Sequence, residues 1–131
     1  MNPVEFYVTL LASIQEEDIQ RVARIMLDHI GEERAINLPD LVRQSFGEYN
    51  TSTERKTRLV LEDLVTKYRL PIGAISGKAG RWLCANAEEV SRVVSDLESR
   101  RDATNNRIHS LRTAHIPAAP AQQPVKSKLW S

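Results

Sequence analysis

The chain has 131 residues, 41% of them hydrophobic and 27% charged. That is room for one ordinary domain with a packed core, and it excludes disorder along the whole length. Lys and Arg number 18 against 17 acidic residues, so the net charge is +1. A binder driven by bulk positive charge is thereby excluded, while a local basic face is not.

Cys84 is the only cysteine, so neither an intramolecular disulfide nor a cysteine-based zinc site can form, and a reduced compartment is compatible. No basic N-terminal segment precedes an apolar run, and no stretch approaches the ~18 apolar residues of a membrane span. The expectation is a soluble, unexported protein without membrane contact.

Residues 1–17 carry Val4, Phe6, Tyr7, Val8, Leu10, Leu11 and Ile14, too apolar for a loose tail. They form a short helix or a strand packed on the core, and periodicity does not separate the two over so short a span. Asp18 is placed to cap the next helix, over residues 19–30. There Ile19, Val22, Ala23, Ile25, Met26, Leu27 and Ile30 recur at offsets of three and four, and Gly31 closes the element. A short strand over residues 35–37 leads to a helix over residues 38–46, capped by Asn37 with Pro39 in its first turn.

After a polar turn over residues 47–52, Thr51 and Glu54 fit a capping box; Ser52 or Thr53 could serve as the cap instead. The helix that follows, residues 53–68, puts Thr57, Val60, Leu61, Leu64 and Tyr68 on one face. Arg55, Arg58 and Glu62 lie on the other, with Lys56 between. Pro71 bars its continuation. Alternating runs at 71–76 and 81–85 then suit two strands around the turn Gly77-Lys78-Ala79-Gly80. A last helix over residues 87–114 repeats Val90, Val94, Leu97, Arg101, Thr104, Ile108 and Leu111 at spacings of four and three, a heptad seam with two polar breaks. Beyond it, residues 115–131 are rich in Pro and Ala and lack periodicity. They read as a disordered tail with an apolar end at Leu129 and Trp130.

Helix, short strand, two helices and a hairpin make the order of a winged helix-turn-helix. The fold class expected is therefore mainly α with a small β-wing (α+β). A winged helix-turn-helix over 18–86 is preceded by a packed N-terminal segment and followed by a long C-terminal helix and a disordered tail. Residues 68–90, with Pro71-Ile72-Gly73, Gly80, Trp82-Leu83 and Glu88-Glu89, resemble the wing and following helix of small winged helix-turn-helix proteins of bacteriophages and prophages. The resemblance spans roughly residues 18–114. It implies a cytoplasmic DNA-binding protein of a bacterial cell or infected host, acting in transcription regulation or replication. The basic turn at Lys78 and Arg81 departs from the Gly and Ser that such relatives often carry.

Under that reading Arg55, Lys56 and Arg58 meet bases and phosphates in the major groove, and Thr51, Ser52 and Thr53 add phosphate hydrogen bonds at the helix N-terminus. Lys78 and Arg81 lie on the DNA backbone. Val90, Val94, Leu97, Ile108 and Leu111 form the seam of a possible homodimer. Leu129 and Trp130 weakly resemble a peptide that docks on the replication clamp. Trp82 reads as core rather than a stacking platform, and Cys84 as a small buried hydrophobe.

Enzymatic activity finds no support. His29, His109 and His115 lack partners at ligand spacing, residues 73–78 lack the spacing of a phosphate-binding loop, and no metal or cofactor is implied. The alternative to DNA binding is a protein-interaction module on the same scaffold.

Overall fold

In the computed structural model, which describes residues 2–117, the apolar N-terminal segment is a helix, α1 (Pro3–Leu11). Asn2 caps it by accepting the Glu5 amide on Oδ1 at 2.8 Å, and Pro3 stands where a missing N–H is tolerated. Tyr7, Leu11 and the following Ile14 are buried. The Tyr7 hydroxyl donates to the Cys84 carbonyl at 2.7 Å, a contact across most of the sequence. Burial pushes the Tyr7 phenol up to about 12 and the buried Cys84 thiol up to about 11, so both stay neutral at ordinary pH.

Helix α2 (Glu17–Met26) buries Ile19, Val22, Ala23 and Met26, the stripe that its spacing predicts. Its start differs from expectation: Glu16 is the N-cap and makes no side-chain bond, and Asp18 lies inside the first turn. There a carboxylate acts through the helix dipole rather than as a cap. The helix also stops short of residue 30, because Ile30 leaves it to form a parallel bridge with Leu83. Gly31, at φ 99°, opens a 3-10 turn (Glu32–Arg34) instead of closing α2.

The strand expected at 35–37 contracts to a single antiparallel bridge, Ile36 to Arg81. The Ile36 amide donates to the Arg81 carbonyl at 2.9 Å, and the Arg81 amide returns the bond at 2.8 Å.

Helix α3 (Leu38–Phe46) has the predicted bounds. The Asn37 side chain accepts the Asp40 amide at 2.9 Å, and Gly47, at φ 82°, ends the helix. Helix α4 (Thr51–Thr66) begins two residues earlier than the periodicity indicates. Its capping box is Asn50 with Thr53: Asn50 Oδ1 accepts the Thr53 amide at 2.9 Å, and the Asn50 amide donates to Thr53 Oγ1 at 3.0 Å. Asparagine is among the strongest caps, and it displaces the expected Thr51 and Glu54. Glu54 is thereby left to the Tyr49 hydroxyl and to Arg58.

Helices α2, α3 and α4 pack around Val22, Met26, Leu41, Val42 and Leu64, all fully buried. A two-stranded antiparallel sheet closes this core: β1 (Ile72–Gly73) pairs with β2 (Trp82–Leu83), Ile72 opposite Leu83 and Gly73 opposite Trp82. Both strands are shorter than the alternation predicts. Trp82 is 1% exposed, so it is core and no stacking platform.

The chain divides into two compact units between residues 98 and 99. Helix α5 (Ala87–Arg112) runs through the division and buries no residue completely. In the first unit it starts where Asn86 Oδ1 accepts the Glu89 amide at 2.9 Å. Val93, outside the predicted seam, faces the sheet. Val90, Val94 and Leu97 are exposed at 37%, 46% and 51%. In the second unit Ile108 and Leu111 are exposed, and Arg101 and Thr104 lie on the surface too. Leu129, Trp130 and the rest of the expected tail beyond residue 117 lie outside the described residues. No helix among the described residues is long and apolar enough to cross a membrane.

Gly73 is where this packing is tightest. A Cβ there would fall 2.8 Å from Trp82 Cε2 and 2.9 Å from Val93 Cγ2. Gly73→Ala is expected to destabilise the domain by about 1–3 kcal/mol through overpacking, read as a lower urea midpoint at constant slope. An unchanged midpoint would contradict the account of how the sheet meets α5.

Candidate nucleic-acid interface

Helix α4 turns Thr57, Val60, Leu61 and Leu64 inward, while Thr51, Ser52, Arg55, Lys56, Arg58 and Leu59 of its N-terminal part are exposed. Thr51 and Ser52 are exposed at its first turn, whereas Thr53 is half-buried and occupied by the capping box. Arg55 is exposed and makes no hydrogen bond or ion pair with any described residue.

The other α4 cations are engaged. Lys56 Nζ lies 3.0 Å from Asp18 Oδ2 and 4.9 Å from the centroid of the Phe46 ring. Arg58 Nε lies 3.4 Å from Glu54 Oε1, in an exposed pair that solvent weakens. The Tyr49 hydroxyl and then Arg58 hold the Glu54 carboxyl below its ordinary range.

The β1–β2 turn contributes two cations of opposite standing. Lys78 Nζ sits 2.9 Å from Glu32 Oε2, and Arg92 closes on the other oxygen, Oε1, at 2.5 Å. Arg92 and Lys78 together hold Glu32 below the usual carboxylate range. Lys78 is therefore neutralised within the fold. Arg81 is not. Its backbone is fixed by Ile36, its side chain is half-buried, and its guanidinium has no hydrogen bond or ion pair among the described residues. Burial disfavours its charge, and the nearby Arg58 guanidinium disfavours it further. Arg58 and Arg81 line one groove between α4 and the sheet, floored by Leu61 and Ile72 and edged by Glu62.

The structure thus brings Arg58 and Arg81 together, leaves Arg55 exposed without a partner among the described residues, and pairs Lys56 and Lys78 with carboxylates. Glu32 and Arg92 belong to the electrostatics of this surface although the sequence marks neither. They lie 46 and 60 residues from their partners, and no local spacing reports such pairs.

A cation that is half-buried beside a like charge without a counter-ion opposes folding. Arg81→Met keeps the apolar stem and removes the charge. The variant is expected to be at least as stable as the native chain, with a gain held below about 1 kcal/mol by solvent screening and shrinking as salt rises. A clear loss of stability in thermal melts would show that Arg81 has a partner in the fold.

Compared with protein-family models, with curated proteins and with solved structures, the chain gives no significant match.

Proposed function

We propose that the chain is a winged helix-turn-helix protein that binds double-stranded DNA, with the N-terminal half of α4 in the major groove and the β1–β2 turn along the backbone. The observation that carries this reading is the unpartnered Arg81 beside Arg58 in the groove flanking α4. Two guanidiniums held together repel, and an anion between them converts that repulsion into binding. A DNA phosphate supplies the anion in a geometry that guanidinium donors match. The free Arg55 and the exposed Thr51 and Ser52 lie on the same helix end, suited to base edges and phosphate oxygens.

The order of elements supports the same reading: α2, the Ile36 bridge, α3, α4 and then the hairpin, with Ile36 hydrogen-bonded to Arg81 of the returning arm. Lys56 and Lys78 join the contact only by leaving Asp18 and Glu32. Exposure of Val90, Val94 and Leu97 on α5 supports a homodimer of the same protein, which would read a repeated site. A role in phage or prophage transcription or replication follows from the resemblance of the wing.

A protein-interaction module is favoured instead by Glu54 and Glu62 among the α4 arginines. Salt dependence separates the two. Fluorescence anisotropy on random and genomic duplexes is expected to give affinity that falls with salt at a log–log slope near −2, about −0.9 for each phosphate met by Arg58 and Arg81. The Arg58→Ala, Arg81→Met variant should weaken binding to every duplex and flatten the slope by about two. Arg55→Ala should cost about 1–3 kcal/mol at a preferred site and relax preference there. Binding that ignores salt, or none at low salt, overturns the reading.

A further inference from the structure

Glu32 is held unlike a surface carboxylate. Gly31, at φ 99°, sets the start of its 3-10 turn, and the Gly31 amide donates to the Leu83 carbonyl at 2.7 Å. The Glu32 amide is in turn accepted by Glu89 Oε2 at 3.2 Å, while Glu89 Oε1 takes the Ala85 amide at 3.0 Å. Backbone contacts to β2 and α5 therefore fix where the carboxylate points. Its side chain is only 18% exposed, against 58% for Lys78. Between them, Lys78 and Arg92 hold its two oxygens, as a pair of cations would hold two oxygens of a phosphate.

We propose that Glu32 is a built-in competitor for the DNA backbone, occupying Lys78 until a phosphate displaces it. The proposal rests on the DNA reading above and adds a determinant of affinity to it. Lys78 stands at the tip of the β1–β2 turn with a flexible stem, and exchanging one anion for another needs only that stem to move. Arg92 stays on Glu32 when Lys78 leaves, so the exchange strands no carboxylate. Because Lys78 trades one partner for another, its net contribution to affinity is small, although its charge alone implies a full phosphate contact. The native chain thus binds DNA more weakly, and with a shallower salt dependence, than its exposed cations imply.

The test is a set of variants, Glu32→Gln, Glu33→Gln, Lys78→Ala and the Glu32→Gln, Lys78→Ala double change, each checked for fold by thermal melting. Binding to one duplex is then titrated across salt. Glu33 is exposed and makes no hydrogen bond or ion pair with Lys78, so its substitution gives the same change of net charge without breaking the ion pair that holds the lysine. E32Q is expected to tighten binding roughly tenfold near 0.1 M salt and to steepen the slope by about 0.9, the release of one further counter-ion. E33Q should give less than about a third of that gain, and K78A should abolish the gain in the E32Q background. Equal effects of E32Q and E33Q, a gain that survives K78A, or weaker binding by E32Q would each overturn the proposal. If R58A with R81M weakens binding while E32Q changes nothing, the competitor role fails and the DNA reading stands. If no variant binds at low salt, both fail together.

Discussion

Two hydrogen bonds exchanged between Ile36 and Arg81 hold the arrangement on which the surface depends. They join the segment between α2 and α3 to the returning arm of the hairpin, across a long stretch of chain. Leu83 repeats the device one step further on, donating to the His29 carbonyl and accepting from the Gly31 amide. The sheet itself is only two residues long on each strand, too short to stand alone. What keeps it in place is this attachment, with Trp82 and Leu83 buried behind it. The side chain of Arg81 is thereby carried to Arg58, and the two guanidiniums line one groove.

The charges sort themselves by whether the fold has already supplied a counter-ion. Lys56 and Lys78 have carboxylates within 3.0 Å, and Arg58 has a looser one. Arg55 and Arg81 have none among the described residues. A net charge of +1 therefore says little about the potential a ligand meets, because neutralised cations and free ones count alike in the total. In the proposed reading, Arg81 beside Arg58 decides where an anion sits, and the neutralised lysines modulate how tightly.

Much of the fold was legible because its signals are local. The three- and four-residue offsets in α2, the Asn37 cap with Pro39, and Gly47 after Phe46 each declare themselves within a few positions. The errors have equally definite causes. The cap expected at Thr51, Ser52 or Thr53 is instead Asn50, because each side chain of Asn50 and Thr53 bonds the other's backbone amide. Alternation in the hairpin runs past the two paired residues, yet Trp82, Leu83 and Cys84 are all buried, so the polarity pattern there does not report the extent of pairing. At the start of α5, Val90, Val94 and Leu97 of the expected heptad are exposed, and the residue that meets the sheet is Val93, which lies outside that register. Glu32 and Arg92 were out of reach for sequence reading, since ion pairs between distant segments leave no spacing to find.

The central claim is that the α4 N-terminus and the Arg58–Arg81 groove form one anion-binding surface for duplex DNA. Amide and arginine side-chain NMR shifts, followed as a short duplex is added at low salt, test it most directly. The account predicts shifts concentrated at residues 51–58, at Arg81 and at its hydrogen-bond partner Ile36, with the Arg58 and Arg81 guanidinium signals moving together. Shifts confined to the exposed apolar faces of α1 and α5, with both guanidinium signals unmoved, would contradict it.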